Sequence, residues 1–167
     1  MENDINTPIE TTCCFTGHRP EKIKGTEKEI RLKLREEINR AISSGYDTFI
    51  TGLAPGVDTW AALEVLKIKE SNKNIKHFCA VPFKGVEKNR TKEQIIDFNY
   101  IISNSNDMIY ISEKYARWCF LARDKWMVNR SKRVIAVFNG TKGGTEFTIS
   151  YAKKKGREIV LIDDACV

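Results

Sequence analysis

No apolar stretch in this sequence approaches the roughly 20 residues that a membrane-spanning helix needs. The N-terminus also lacks the basic start and long apolar segment of a secretory signal, so a cytoplasmic chain with no membrane partner is expected. Histidine is scarce: His18 and His77 are the two present, and neither stands at ligand spacing from cysteines or carboxylates, so no metal and no cofactor are expected. The five cysteines, Cys13, Cys14, Cys79, Cys119 and Cys166, form an odd set with no CxxC pair, and most lie inside apolar runs. That usage argues against a disulfide scaffold and predicts reduced, packed thiols, none of them an obvious nucleophile. Internal repeats, linkers and low-complexity segments are missing too. A chain of 167 residues suffices for one domain with its own core, but not for two independent ones.

The charge is +6, from 28 basic and 22 acidic residues. The lysines are scattered over helix surfaces rather than gathered in one block, which fits a solvated surface better than a nucleic-acid footprint. After a polar, flexible start at residues 1–10, short apolar runs alternate with helical patterns through residues 11–167. Strands are predicted at Thr11–Gly17, Asp47–Gly52, Ile75–Phe83, Asp107–Ile111, Arg133–Phe138 and Arg157–Ile162. Thr26 with Glu29, and Thr91 with Gln94, are capping-box signatures that open helices, and Ile30, Leu34, Ile38 and Ile42 repeat at helical spacing until Gly45. Val57, Ala61, Val65 and Ile68 mark a second helix, Trp118 to Val128 another, and Phe147–Lys155 the last. Strict alternation of strand and helix, with little polar alternation within the strands, predicts a single-domain α/β Rossmann-like three-layer sandwich around a mainly parallel sheet.

Three glycine-centred turns stand out: TGHRP at Thr16 to Pro20, TGLAPGVD at Thr51 to Asp58, and NGTKGGT at Asn139 to Thr145. They follow the first, second and fifth strands. Parallel strands place their carboxyl ends on one edge of the sheet, so the turns can converge where strand order reverses. Glycine lets a backbone approach an anion closely, and a helix N-terminus aims free N–H groups and positive dipole at it. Gly17, Gly52, Gly56, Gly143 and Gly144 are therefore candidate anion contacts, with the Thr145 hydroxyl beside them. Arg19, Lys142 and Arg123 are candidate phosphate cations, and His18 adds a polar group at the mouth. Asp58 serves either to stabilise a helix N-terminus or to accept from a sugar hydroxyl or base, and Trp60 either packs in the core or offers a stacking surface. Asp124 and Asn129 are polar residues in an otherwise apolar stretch, as consistent with a helix surface as with a site.

At these residues the chain resembles the SLOG superfamily of Rossmann-like proteins, specifically its YpsA-like branch (DUF1273). The likeness covers nearly the whole chain and rests on TGHRP, TGLAPGVDTWAA at Thr51 to Ala62, RDKWMVNRS at Arg123 to Ser131, and VFNGTKGGTEFTISYA at Val137 to Ala152. It implies a pocket along the strand ends for a nucleotide or nucleotide-derived small molecule, held by a sensor or regulatory module, and it is compatible with a homo-oligomer. The related LOG proteins cleave a nucleoside monophosphate into base and ribose phosphate with a PGGxGTxxE motif, but that motif's glutamate falls here on Thr148. A phosphoribohydrolase would have to use Glu146 or Asp58 instead. The DNA-processing protein DprA resembles the chain at TGLAPGVDTWAALEVL, which implies single-stranded DNA as an alternative partner and would require a basic groove with aromatic platforms.

Overall fold

The computed structural model describes residues 5–165; the expectations for the first four residues and for Cys166 lie outside the described residues. The chain runs β1 (Thr12–Gly17), α1 (Glu27–Ser43), β2 (Thr48–Thr51), α2 (Val57–Ser71), β3 (Lys76–Phe83), α3 (Lys92–Asn104), β4 (Asp107–Ser112), α4 (Cys119–Asn129), β5 (Arg133–Val137), α5 (Gly144–Lys154) and β6 (Glu158–Ile162). Both predicted capping boxes form: the Thr26 hydroxyl accepts from the Glu29 N–H and opens α1, and Thr91 with Gln94 opens α3. Helix α5 begins at Gly144 rather than at Phe147. Gly143, at φ +149°, turns the chain directly into the helix, and the Phe147 N–H already bonds the Gly143 carbonyl.

The six strands form one all-parallel sheet in the order β4-β3-β2-β1-β5-β6. Strand order reverses at β1, which pairs with β2 on one side and β5 on the other; Cys14 lies opposite Ile50 in one register and Val134 in the other. The carboxyl ends of β2, β1 and β5 are thus neighbours. These are the strands that carry the glycine turns.

Helices cover both faces of the sheet. Ile30, Leu34 and Ile38 of α1 pack with Val57, Ala61 and Val65 of α2 against Cys13, Phe15 and Ile135. Trp60 belongs to this core. Met127 and Val128 of α4 and Ala152 of α5 pack on the opposite face against Cys14, Ile50 and Val134, where Ile5 is also buried. A third cluster joins α2, α3 and β3 through Leu66, Phe98, Ile101 and Val81. Adjacent Cys13 and Cys14 point to opposite faces, as strand geometry requires. Burial pushes the Cys14 and Cys79 thiols up to about 12, so both are unreactive packing groups. Among the described residues no helix is long and apolar enough to cross a membrane.

The two helices on the first face are joined by charge as well as by apolar contact. Glu64 of α2 is 0% exposed at its side chain, and it accepts from Arg31 Nε at 2.7 Å and from Arg35 Nε at 2.7 Å, both on α1. Burial alone would raise the Glu64 carboxyl, but the two guanidiniums outweigh it and hold the group below the usual carboxylate range. Removing the arginines strands a buried carboxylate, whereas removing the carboxylate leaves two half-exposed arginines that water can solvate. The double variant Arg31→Ala/Arg35→Ala is expected to lose about 3–5 kcal/mol in urea denaturation. Glu64→Gln is expected to lose about 1–2 kcal/mol by the same measurement.

Candidate functional site

The end of β1 meets the start of α2 without room for a side chain. A Cβ on Gly17 would lie 2.5 Å from Val57 Cβ, and one on Gly56, at φ +91°, would lie 2.8 Å from the His18 carbonyl oxygen and 2.9 Å from Pro20 Cδ. These two glycines lock the TGHRP turn onto the TGLAPGVD turn. Gly52 has a related role: a Cβ there would meet Arg123 Nη1 and Asp58 Oδ2, each at 2.8 Å. Gly143 and Gly144 differ from these three, because a Cβ on either would meet nothing within 4 Å. They lie open at the N-terminus of α5.

His18 ties the first turn to the third. Its ring stacks on Phe138 at 5.7 Å, and its Nε2 accepts from the Asn139 N–H at 3.4 Å. Burial is the main cause that pushes its pKa down, only partly offset by Asp164, so the ring is neutral and acts as an acceptor. Asn139 in turn accepts from the Thr141 N–H and hydroxyl, and donates to the Lys22 carbonyl and to Asp164 Oδ2. This polar web holds the NGTKGGT turn over β1.

Arg123 of α4 is 6% exposed and reaches across to the second turn, where Nη1 donates to the Gly52 carbonyl at 2.6 Å. Its Nε donates to Asp124 at 2.7 Å. The Thr148 hydroxyl lies 3.2 Å from the other Asp124 oxygen and 2.9 Å from the Gly144 carbonyl. A hydroxyl therefore stands where the LOG pattern has glutamate, and the carboxylate beside it comes from α4. Asp58 is 5% exposed, and burial pushes it up to about 6 despite the pull of Arg123.

These groups enclose a cavity of about 220 Å³ lined by Gly17, His18, Arg19, Lys22, Asp58, Arg123, Asp124, Gly143, Gly144 and Thr145, with Phe120 and Leu121 on the α4 side. Arg123 and Asp58 form its buried electrostatic floor, Arg19 its exposed cationic rim, and the first N–H groups of α5 one wall. Lys142 and Glu146 are not among the lining residues, and the Asn129 side chain is engaged with the Tyr151 hydroxyl. Gly52 and Gly56 are not among the lining residues either. Among the described residues no group of three or more histidine, cysteine or acidic side chains is placed to hold a metal ion.

A second cavity of about 330 Å³ adjoins the first and shares Arg19, Ala54, Phe120 and Arg123 with it. The sequence reading missed this lobe and Lys22, because neither the turn after β3 nor that after β4 carries a glycine-rich motif. Topology was the available signal: in a parallel sheet, the segments after β3 and β4 reach the same edge as the other turns.

Two measurements check this geometry. The folded chain keeps a proton on Asp58 up to about pH 6, whereas the unfolded chain releases it near the ordinary aspartate value, so the stability due to this group falls as pH rises through that window. The stability of Asp58→Asn relative to wild type is expected to rise by up to about 2 kcal/mol between pH 4.5 and pH 7, read from paired urea titrations. Gly56→Ala is expected to cost roughly 1–3 kcal/mol, from its positive φ and the clash with the first turn, measured by thermal melting.

Comparison with known proteins gives the same fold and identifies the family. The prophage-derived protein YoqJ of Bacillus subtilis is 28% identical over 118 residues, 64% of this chain and 69% of that protein. A UPF0398 protein of Lysinibacillus sphaericus is 25% identical over 160 residues, 86% of this chain and 85% of the relative. Among solved structures, DNA processing protein A (DprA) from Streptococcus pneumoniae superposes with a TM-score of 0.62 at 18% identity, over 92% of this chain and 50% of that one. DprA from Helicobacter pylori, described for its single-stranded DNA binding mode, gives 0.62 at 17% identity, over 92% of this chain and 66% of its own. The chain thus spans half of the first and about two thirds of the second. The family model described as the YspA SLOG family matches residues 13–163, and the chain belongs to that YpsA family.

Proposed function

We propose that the cavity at the carboxyl ends of β1, β2 and β5 binds the phosphate of a nucleotide or nucleotide-derived small molecule, and that the protein acts as a sensor or regulatory module. The observation that carries this reading is the meeting, in one cavity, of the open Gly143–Gly144 entrance to α5 with Arg19, Lys22 and Arg123. A helix N-terminus and guanidinium groups both favour an anion, and the backbone N–H groups of Gly144 and Thr145 are suited to a phosphate's equatorial oxygens. Asp58 and Asp124 on the same cavity accept hydrogen bonds from sugar hydroxyls, which inorganic phosphate alone would not offer. Neither carboxylate stands at the LOG glutamate position, so recognition accounts for the site more simply than hydrolysis.

Isothermal titration against nucleoside mono- and diphosphates, cyclic nucleotides and ADP-ribose derivatives tests the reading, and no heat with any member would overturn it. Arg19→Gln is expected to weaken the bound member about tenfold, the effect of one charge-assisted hydrogen bond. Lys142→Gln, outside the cavity, is expected to change affinity by less than about twofold. A second reading, single-stranded DNA, draws on the exposed Tyr115 and Trp118, 66% and 58% accessible, with Lys114 and Arg117 on the same loop. Retention of a thymidine oligomer that falls steeply with salt, without competition by small nucleotides, would favour DNA.

A further inference from the structure

The second lobe differs in chemistry from the first. One wall is aromatic: Phe83, at the end of β3, meets the Tyr115 ring edge to face at 5.5 Å and the Phe120 ring in the same manner at 6.0 Å. Facing them are Asn89 and Arg90, between β3 and α3, and the amide side chain of Gln94 in the first turn of α3. Gln94 Oε1 is taken by the Thr91 N–H of the capping box, which leaves the amide nitrogen as a donor.

Arg90 is the unusual member. Among the described residues no carboxylate lies within ion-pair distance of it, and its guanidinium stands 5.2 Å from the centre of the Phe98 ring. Burial, then the nearby Arg123 and Arg19, push its pKa down to about 10, against the weaker opposing pull of Asp58 and Glu87. Three guanidiniums are therefore gathered around the junction of the lobes, and the one in ion-pair contact with a carboxylate is Arg123. Repelling cations beside an aromatic wall are compensated by a ligand with more than one negative charge and a flat ring.

We propose that this lobe is the base and proximal-phosphate subsite of the same ligand, which makes that ligand a nucleoside diphosphate or an ester of one. The base lies against Phe83, Tyr115 and Phe120, with Asn89 and Gln94 at its edge. The first phosphate meets Arg90 and Arg19, the second reaches Gly143, Gly144 and Thr145 past Arg123, and in an ester the sugar carried on the second phosphate is the one whose hydroxyls meet Asp58 and Asp124. The inference rests on the phosphate reading of the first lobe. A monophosphate occupies one of the two cationic positions and leaves the other repelling, so the diphosphate gains the second set of charge-assisted hydrogen bonds.

The test is isothermal titration of the full chain with ribose 5-phosphate and with the pairs AMP and ADP, GMP and GDP, and UMP and UDP. For at least one base the diphosphate is expected to bind about tenfold or more tighter than its monophosphate. Arg90→Gln is expected to reduce that ratio to below about threefold while leaving ribose 5-phosphate unchanged. Tyr115→Ala, at an exposed position that folding does not require, is expected to weaken both nucleotides about three- to tenfold and to spare ribose 5-phosphate. Ribose 5-phosphate and monophosphates that bind as tightly as every diphosphate would overturn the second lobe and leave the phosphate reading standing. Equal weakening of all compounds by Arg90→Gln would overturn it as well. Absence of binding by any compound would overturn both.

Discussion

Arg123 is the interaction on which the cleft depends. Its guanidinium is buried between the Gly52 carbonyl, at the start of the second turn, and the carboxylate of Asp124, and it carries the charge of α4 to the point where β2 and β1 end side by side. Burying a guanidinium is tolerable only when its donors are satisfied, and here Gly52 satisfies one of them because glycine leaves no Cβ in the way. Asp58 adds opposite charge from the start of α2. The second turn, α2 and α4 are thereby held in one arrangement, and both lobes form around the same side chain.

The sheet supplies the frame. With β1 between β2 and β5, the three glycine turns emerge next to one another, and the close contact of Gly17 with Val57 and of Gly56 with His18 leaves the first two no freedom to separate. His18 and Asn139 then anchor the third turn to the first. Gly17, Gly52 and Gly56 therefore serve packing among the turns, whereas Gly140, Gly143 and Gly144 of the third turn face open space. This division gives the site a rigid floor and an open entrance, which suits recognition of a small anion without movement of the chain.

The fold was legible because strand and helix alternate with strong periodicity and because both capping boxes announce their helices by residue type. The α5 boundary was less so, since the Gly-Gly pair reads as a turn, whereas Gly143 is the N-cap of the helix and Gly144 its first residue. The site was legible in part. Arg19, Asp58, Gly143, Gly144 and Thr145 reach the cavity, whereas Lys142 and Glu146, adjacent to them in sequence, do not line it. Glu146 follows Thr145 on α5, where successive residues differ in direction by about 100°, and Lys142 precedes the helix, so proximity in sequence does not select a face.

By itself, the sequence determined the elements, their parallel arrangement and the edge on which the turns lie, because each follows from local periodicity, capping chemistry and the geometry of parallel crossovers. Tertiary structure alone decided that Asp58 is buried against Arg123, that Thr148 carries Asp124 beside the pocket, and that Arg90 stands across from an aromatic wall. These contacts join residues tens of positions apart. Their energies come from burial and charge in a shared cavity, which no stretch of sequence contains until the chain has folded.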